Sequence, residues 1–186
     1  MTTPDLESLR RDLRYLLDRT AILDCVANHA RGCDRHDTDL ITGAYHPDAI
    51  DEHGKATNTG TDYAQWANAA HAATARVHTH NITTHTCEIQ GDTAHAESYS
   101  IVVLLGNDGT TAQFVSGRYV DRLERRDGQW RIALRRSTVE IMFTADASVL
   151  ASPFFASQGY PAGARDTSDL SYQRPLLRSA TEEDHR

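Results

Sequence analysis

The chain has 186 residues, 19 basic and 26 acidic, for a net charge of −7, with 39% hydrophobic residues and a mean hydropathy of −0.54. That length suits one domain with one core, and the acidic balance excludes a nucleic-acid partner, whose phosphates demand a basic surface. No apolar run approaches the roughly 20 residues that span a bilayer, and the opening MTTPDLESLRRDLRY has no apolar secretory core, so no membrane association and a cytoplasmic location are expected.

The first elements read as helices. Leu6, Leu9, Leu13, Leu16 and Leu17 recur at spacings of three and four over residues 4–17, with Pro4 suited to a first turn. Asp18 either caps a second helix or continues the first. The next stripe is Ile22, Leu23, Val26, Ala27, Ala30 and Cys33, ending near Gly32 or in the polar run Asp34-Arg35-His36-Asp37. A short third helix, 38–45, stops at His46-Pro47-Asp48. Residues 50–58 read as irregular and polar. A further helix, 62–75, begins after a threonine cap and carries Tyr63, Trp66, Ala67, Ala70 and Ala73 on one side.

From Val77 onward the chain reads as strand: 77–89, 93–105, 111–125 and 129–142. Gly91-Asp92, Asn107-Asp108-Gly109 and Arg126-Asp127-Gly128 supply turn chemistry between them. Four strands in tight succession predict an antiparallel meander. Strands this long in a small domain curl into a trough, which the early helices cover on its concave side. The fold class is α+β, with helices first and sheet second. Domain organisation follows as 1–145 for the folded unit and 146–186 for a C-terminal lid and extended tail, with 145–155 as a short helix or lid.

The first long strand holds His78, His80 and His85. Alternation puts His78 and His80 on one face and His85 on the other. An imidazole on a sheet face, with an ordinary pKa near 6.5, is either a surface group or a proton-transfer group. Asp34, at the end of the second helical stripe, is either a turn residue or a carboxylate that reaches the trough and holds the His80 ring in one tautomer. Tyr45, Trp66 and Tyr99 are read as core or pocket wall, with polar handles that orient a ligand. Arg118 and Asp121 are read as an ion pair across the sheet. Cys25, His29, Cys33 and His36 fall on one helical side, but structural zinc sites prefer CxxC-type spacing, so no metal is expected there. The cysteines, Cys25, Cys33 and Cys87, are odd in number and are read as reduced thiols.

Several pieces of the chain together resemble the SnoaL-like branch of the nuclear transport factor 2-like superfamily. They are the helix ending in CDRHD, then AYHPDA, THNITTHTCEIQGDTAHAESY, GRYVDRLERRDGQWRIALRR and RDTSDLSYQRP. The resemblance covers roughly residues 10 to 175. It implies a cone, a strongly curved antiparallel sheet closed by N-terminal helices around an apolar pocket. It implies an Asp–His dyad like that of the dehydratases and dehydrochlorinases of this branch, with Asp34 and His80 as the catalytic pair and no cofactor. It places a substrate-positioning arginine at Arg135; alternation groups Arg135 with Arg131 and Ala133, opposite Trp130, Ile132 and Leu134, and leaves Arg136 as a rival. A tyrosine common in relatives five residues before the dyad Asp is His29 here, and His29 is expected, with Arg135, to contact the substrate oxygens. The implied activity is a lyase that eliminates water from a polycyclic, polyketide or terpenoid hydroxy-carbonyl compound. The alternatives are a cyclase or isomerase using the same dyad, and a non-catalytic domain akin to an oxygenase small subunit. The implied assembly is a homotrimer or homodimer.

Overall fold

The structure, a computed structural model, describes residues 5–178; Pro4 and the end of the expected tail lie outside them. Helix α1 (Leu6–Arg35) is one continuous rod, capped at its start by the Asp5 carboxylate, which accepts the Ser8 N–H. Nothing between Leu6 and Arg31 breaks it, because no proline or glycine interrupts the run. Asp18 therefore caps nothing. It is buried, and its carboxylate accepts the Trp130 indole N–H at 2.9 Å and the Arg125 guanidinium at 2.8 Å, which fastens the helix to the sheet. The helix ends at His36, whose left-handed backbone (φ 50°) turns the chain into α2 (Thr38–Gly43).

Residues 50–58 are not irregular. They belong to strands β1 (Tyr45–His53) and β2 (Ala56–Thr59), a polar hairpin without strict apolar alternation. Helix α3 (Tyr63–Thr74) follows, with Asp62 rather than a threonine at its N-cap. Then come the four long strands, β3 (Ala75–Gln90), β4 (Thr93–Gly106), β5 (Thr111–Arg126) and β6 (Gln129–Asp146). The sheet order is β2-β1-β6-β5-β4-β3, antiparallel except where β1 runs parallel to β6. The sheet is curved and unclosed: the α+β trough expected from turns and periodicity, and the cone that the resemblance implies.

The core lies between sheet and helices, where Ile22, Cys33, Ile41, Tyr45, Leu123 and Ile132 are buried together. Only the second half of α1 contributes. The Leu6, Leu9, Leu13, Leu16, Leu17 stripe is more than half exposed and does not cover the concave face. After β6 come a 3₁₀ turn (Ser148–Ala151), a one-turn helix α4 (Pro153–Ala156) and a segment that packs back on the end of α1. Among the described residues, no helix is long and apolar enough to cross a membrane.

Two strands depart from strict alternation through bulges, and both departures bear on the site. On β3, Ile82 faces Ser100 while His85 faces Ser98, so the pairing skips a residue and parity flips. His85 thus joins His78 and His80 on the inner face, with its Nδ1 2.8 Å from the buried Ser98 hydroxyl. On β6, Leu123 pairs with Ile132 but Arg122 with Leu134, which leaves Ala133 in the bulge. Arg135 therefore points inward with Trp130 and Ile132, not opposite them.

Candidate functional site

Asp34 sits in the last turn of α1, and β3 passes beneath it. Its Oδ1 is 2.7 Å from His80 Nδ1, and both carboxylate oxygens accept the His80 backbone N–H at 2.9 Å. A carboxylate only accepts, so Nδ1 carries a proton, and in the neutral ring Nε2 holds the lone pair. The two side chains are nearly enclosed, at 6% exposure for His80 and 13% for Asp34. The His80 ring borders two cavities. One, of 410 Å³, lies on the concave face and is lined by His53, His71, His80, Val102, Val115 and Tyr119 among others. The other, of 500 Å³, lies outside it, lined by Arg31, Asp34, Arg35, His80, Ile82 and Asp169 among others. The first has the more apolar wall; the second is charged.

His29 and Arg135 meet, but in the core and not among the side chains that line the first cavity. Both are fully buried. Arg135 grips Asp121 through two bonds of 2.8 and 2.7 Å and donates a third, of 2.9 Å, to His29 Nδ1. Burial, and then the Arg135 charge, push the His29 pKa well below its usual range, so the ring is neutral. Arg135 also lies 4.0 Å beneath the centroid of Tyr119, which does line the cavity. Asp121 is thus the partner of Arg135, not of Arg118, whose guanidinium reaches Glu97 and Glu140. Arg136, the rival on alternation, points to solvent and pairs with Glu52.

Tyr45 is buried beside His29 and donates its hydroxyl to Asp51 at 2.7 Å. Trp66 is half-buried against Tyr63 and His53, at the edge of the core. Tyr99 is corrected outright. It is 41% exposed, because Ser98 and Ser100 on either side of it point inward, and it carries Arg118 over its outer face. Of the four residues weighed as a zinc set along one helical side, Cys25 donates to the Ala44 carbonyl and His36 stacks on His71.

Sequence reasoning missed a second carboxylate–imidazole pair in the same cavity. His53 Nδ1 is 3.1 Å from the buried Asp51 carboxylate and 3.1 Å from the Ser137 hydroxyl. The one signal was Asp51 and His53 two apart, which lie on one face once the segment is read as strand. It also missed the C-terminal segment. Arg165 donates to His78 Nδ1 at 2.7 Å, Asp169 binds Arg35 at 2.5 Å, and Tyr172 donates to Asp37 at 2.8 Å. The segment lies across the end of α1 beside Asp34.

The SnoaL-like domain family matches residues 14–136. No curated protein matches the chain. Among solved structures, a variant of Rv3472, a protein of unknown function from Mycobacterium tuberculosis, is 29% identical with a TM-score of 0.61, over 68% of this chain and 74% of that one. A putative scytalone dehydratase from Novosphingobium aromaticivorans is 16% identical with a TM-score of 0.63, over 69% and 88%. The hexachlorocyclohexane dehydrochlorinase LinA-type3 from Novosphingobium barchaimii is 20% identical with a TM-score of 0.67, over 72% and 94%. At these identities the last two are alike in fold.

Proposed function

The chain belongs to the SnoaL-like domain family, within the nuclear transport factor 2-like superfamily, and from that premise we propose that it is a cofactor-independent lyase of the dehydratase type. The substrate class is a small polycyclic, polyketide or terpenoid hydroxy-carbonyl compound. His80 Nε2 takes the proton beside the carbonyl, the electron pair forms the new C=C bond as the C–O bond breaks, and the imidazolium returns the proton to the departing hydroxide as water. Asp34 holds the ring as the Nδ1–H tautomer and stabilises its charged form. Tyr119, Ser137 and His53 are the polar groups that orient the substrate oxygens; His29 and Arg135 act from behind, by fixing Tyr119.

The observation that supports this most is the 2.7 Å contact between an enclosed carboxylate and an enclosed imidazole at the wall of a largely apolar cavity. Such general acid–base chemistry contributes about 10²–10⁴-fold, and positioning in the cavity supplies the rest. The test is a panel of hydroxy-carbonyl compounds, screened first by thermal stabilisation and then for products lighter by one water. His80→Ala should keep the fold and lose turnover by about a hundredfold or more. Turnover that survives this substitution excludes the reading. Products that keep the substrate's mass, with the same dependence on His80, convert it to the cyclase or isomerase reading. Ligand binding or a co-purifying larger chain without any dependence on His80 points to the non-catalytic one.

A further inference from the structure

Three more imidazoles gather beside the Asp34–His80 pair. The His71 ring centroid lies 4.1 Å from that of His78 and 5.4 Å from that of His80, and the His36 ring lies 5.7 Å from His78 and 6.5 Å from His71. His36 comes from the end of α1, His71 from the last turn of α3 and His78 from β3, so three elements converge on one point. One ring nitrogen from each lies within 4.8 Å of the other two. Two nitrogens of the group are orphans: His36 Nε2 and His71 Nδ1 are shielded from solvent and have no hydrogen-bond partner among the described residues. Shielded polar atoms normally have partners, and each exception calls for an explanation such as an ion. His36 also holds a left-handed backbone, φ 50°, that residues with a Cβ adopt at a cost. Burial lowers all three pKa values, to about 3 for His71 and about 2 for His78, so the rings are neutral and their lone pairs available near neutral pH.

We propose that His36, His71 and His78 bind one divalent first-row metal ion of the zinc type, with a further coordination position facing the concave cavity that His71 lines. Imidazole suits this class of ion over magnesium or calcium. Zinc–nitrogen bonds of about 2.0–2.1 Å set tetrahedral ligands ~3.4 Å apart, so the cluster closes by roughly an ångström at its widest on binding. The Cys33 carbonyl, 3.0 Å from His78 Nε2, accepts that N–H and leaves the ring's lone pair on Nδ1, the tautomer in which Nδ1 can bind a metal. The cation that now meets His78 Nδ1 is the Arg165 guanidinium, whose own Nε is shielded and unpartnered. Metal and guanidinium compete for one lone pair, and the ion enters as Arg165 withdraws. The Asp34 carboxylate, 3.8 Å from His78 Nε2, offsets part of the added charge.

The test is independent of any substrate, so its failure and that of the proposed lyase are told apart. Chelator-stripped protein is titrated with zinc by calorimetry and with cobalt by visible absorption. The expected result is one ion per chain at micromolar affinity. His36→Ala and His71→Ala should each weaken it by about tenfold or more, and Arg165→Met, which removes the competing cation but keeps the stem, should tighten it. His53→Ala, in the same cavity but outside the cluster, should leave it unchanged. The site is overturned if neither the natural protein nor Arg165→Met binds one ion per chain more tightly than about 1 mM. It is equally overturned if binding survives the joint loss of His36 and His71, which would place the ion on surface histidines.

Discussion

Asp34 holds His80 twice, once by the ring and once by the backbone N–H. The two contacts make different demands on a substitution. In Asp34→Asn the amide oxygen keeps a backbone bond, but its NH₂ group competes for Nδ1 and favours the wrong tautomer. Turnover should fall by ~10²–10⁴-fold with little loss of stability, and ¹⁵N spectra of the His80 ring should show the proton moved to Nε2. Arg135 makes the opposite case. It is fully buried with Asp121, so Arg135→Met leaves a carboxylate with no counter-charge in the core. That should destabilise the fold by ~3–5 kcal/mol, read from the urea midpoint. The buried histidines set a pH dependence of known sign. His71 is held at about 3 by burial first and then by the imidazole of His80 beside it, against about 6.5 when unfolded. Between these values the unfolded chain binds the extra proton, so stability rises with pH across the window and is lost as pH falls from 6.5. The slope is at most ~1.4 kcal/mol per pH unit for this one group. Urea midpoints taken from pH 7 down to pH 5 should drop, and His71→Asn should make the drop shallower; a steeper drop in the variant would contradict the assignment.

At the scale of elements, what periodicity can express was legible and what breaks periodicity was not. The four long strands fall within a few residues of where alternation and turn residues put them, since Gly91, Gly109 and Gly128 hold the positive φ values their turns require. The Asp34–His80 contact was legible as well, through residues on a helix end and a strand that the resemblance brings together. The bulges were not, because a skipped residue leaves no mark in composition, yet each turns a side chain to the other face. His85 and Arg135 were misplaced for this one reason, and β1 and β2 were missed because their alternation is polar. A third bulge explains Gly117. A Cβ there would lie 1.8 Å from the Thr138 carbonyl oxygen, so Gly117→Ala must push β5 off β6 and should lower stability by ~1–3 kcal/mol. The C-terminal segment was read as an extended tail because it has no period. Its order comes instead from Asp169, which accepts from Arg35, the Ala164 and Ser171 N–H groups and the Ser171 hydroxyl. Asp169→Ala should release the segment; limited proteolysis should then cut near residues 157–168 in the variant and spare the natural chain.

At the scale of the whole molecule, two apolar surfaces have no partner among the described residues. One is the Leu6, Leu9, Leu13, Leu16, Leu17 stripe of α1. The other is the far end of β6, where Val139, Ile141, Met142 and Phe143 are at least half exposed and successive residues are open on both faces. A strand bare on both sides is not what a monomer retains, because apolar surface gathered in one patch marks a contact. Phe143 is stacked on Phe114 of β5, with ring centroids 4.8 Å apart, which joins the patch to the neighbouring strand. We propose that a second copy of the chain covers it, as a homotrimer or homodimer. The charge pattern allows this, since Glu140, which lies within the patch, is paired with Arg118 on the adjoining outer face. Light scattering at micromolar concentration should give a mass of two or three chains. Ile141→Asp with Phe143→Ser should reduce it to one, while the circular dichroism of the remaining sheet is kept. If the exposed helix stripe forms the contact instead, Leu9→Glu with Leu13→Glu gives the monomer and the strand variant does not. A natural chain that runs as a monomer at every concentration sinks both.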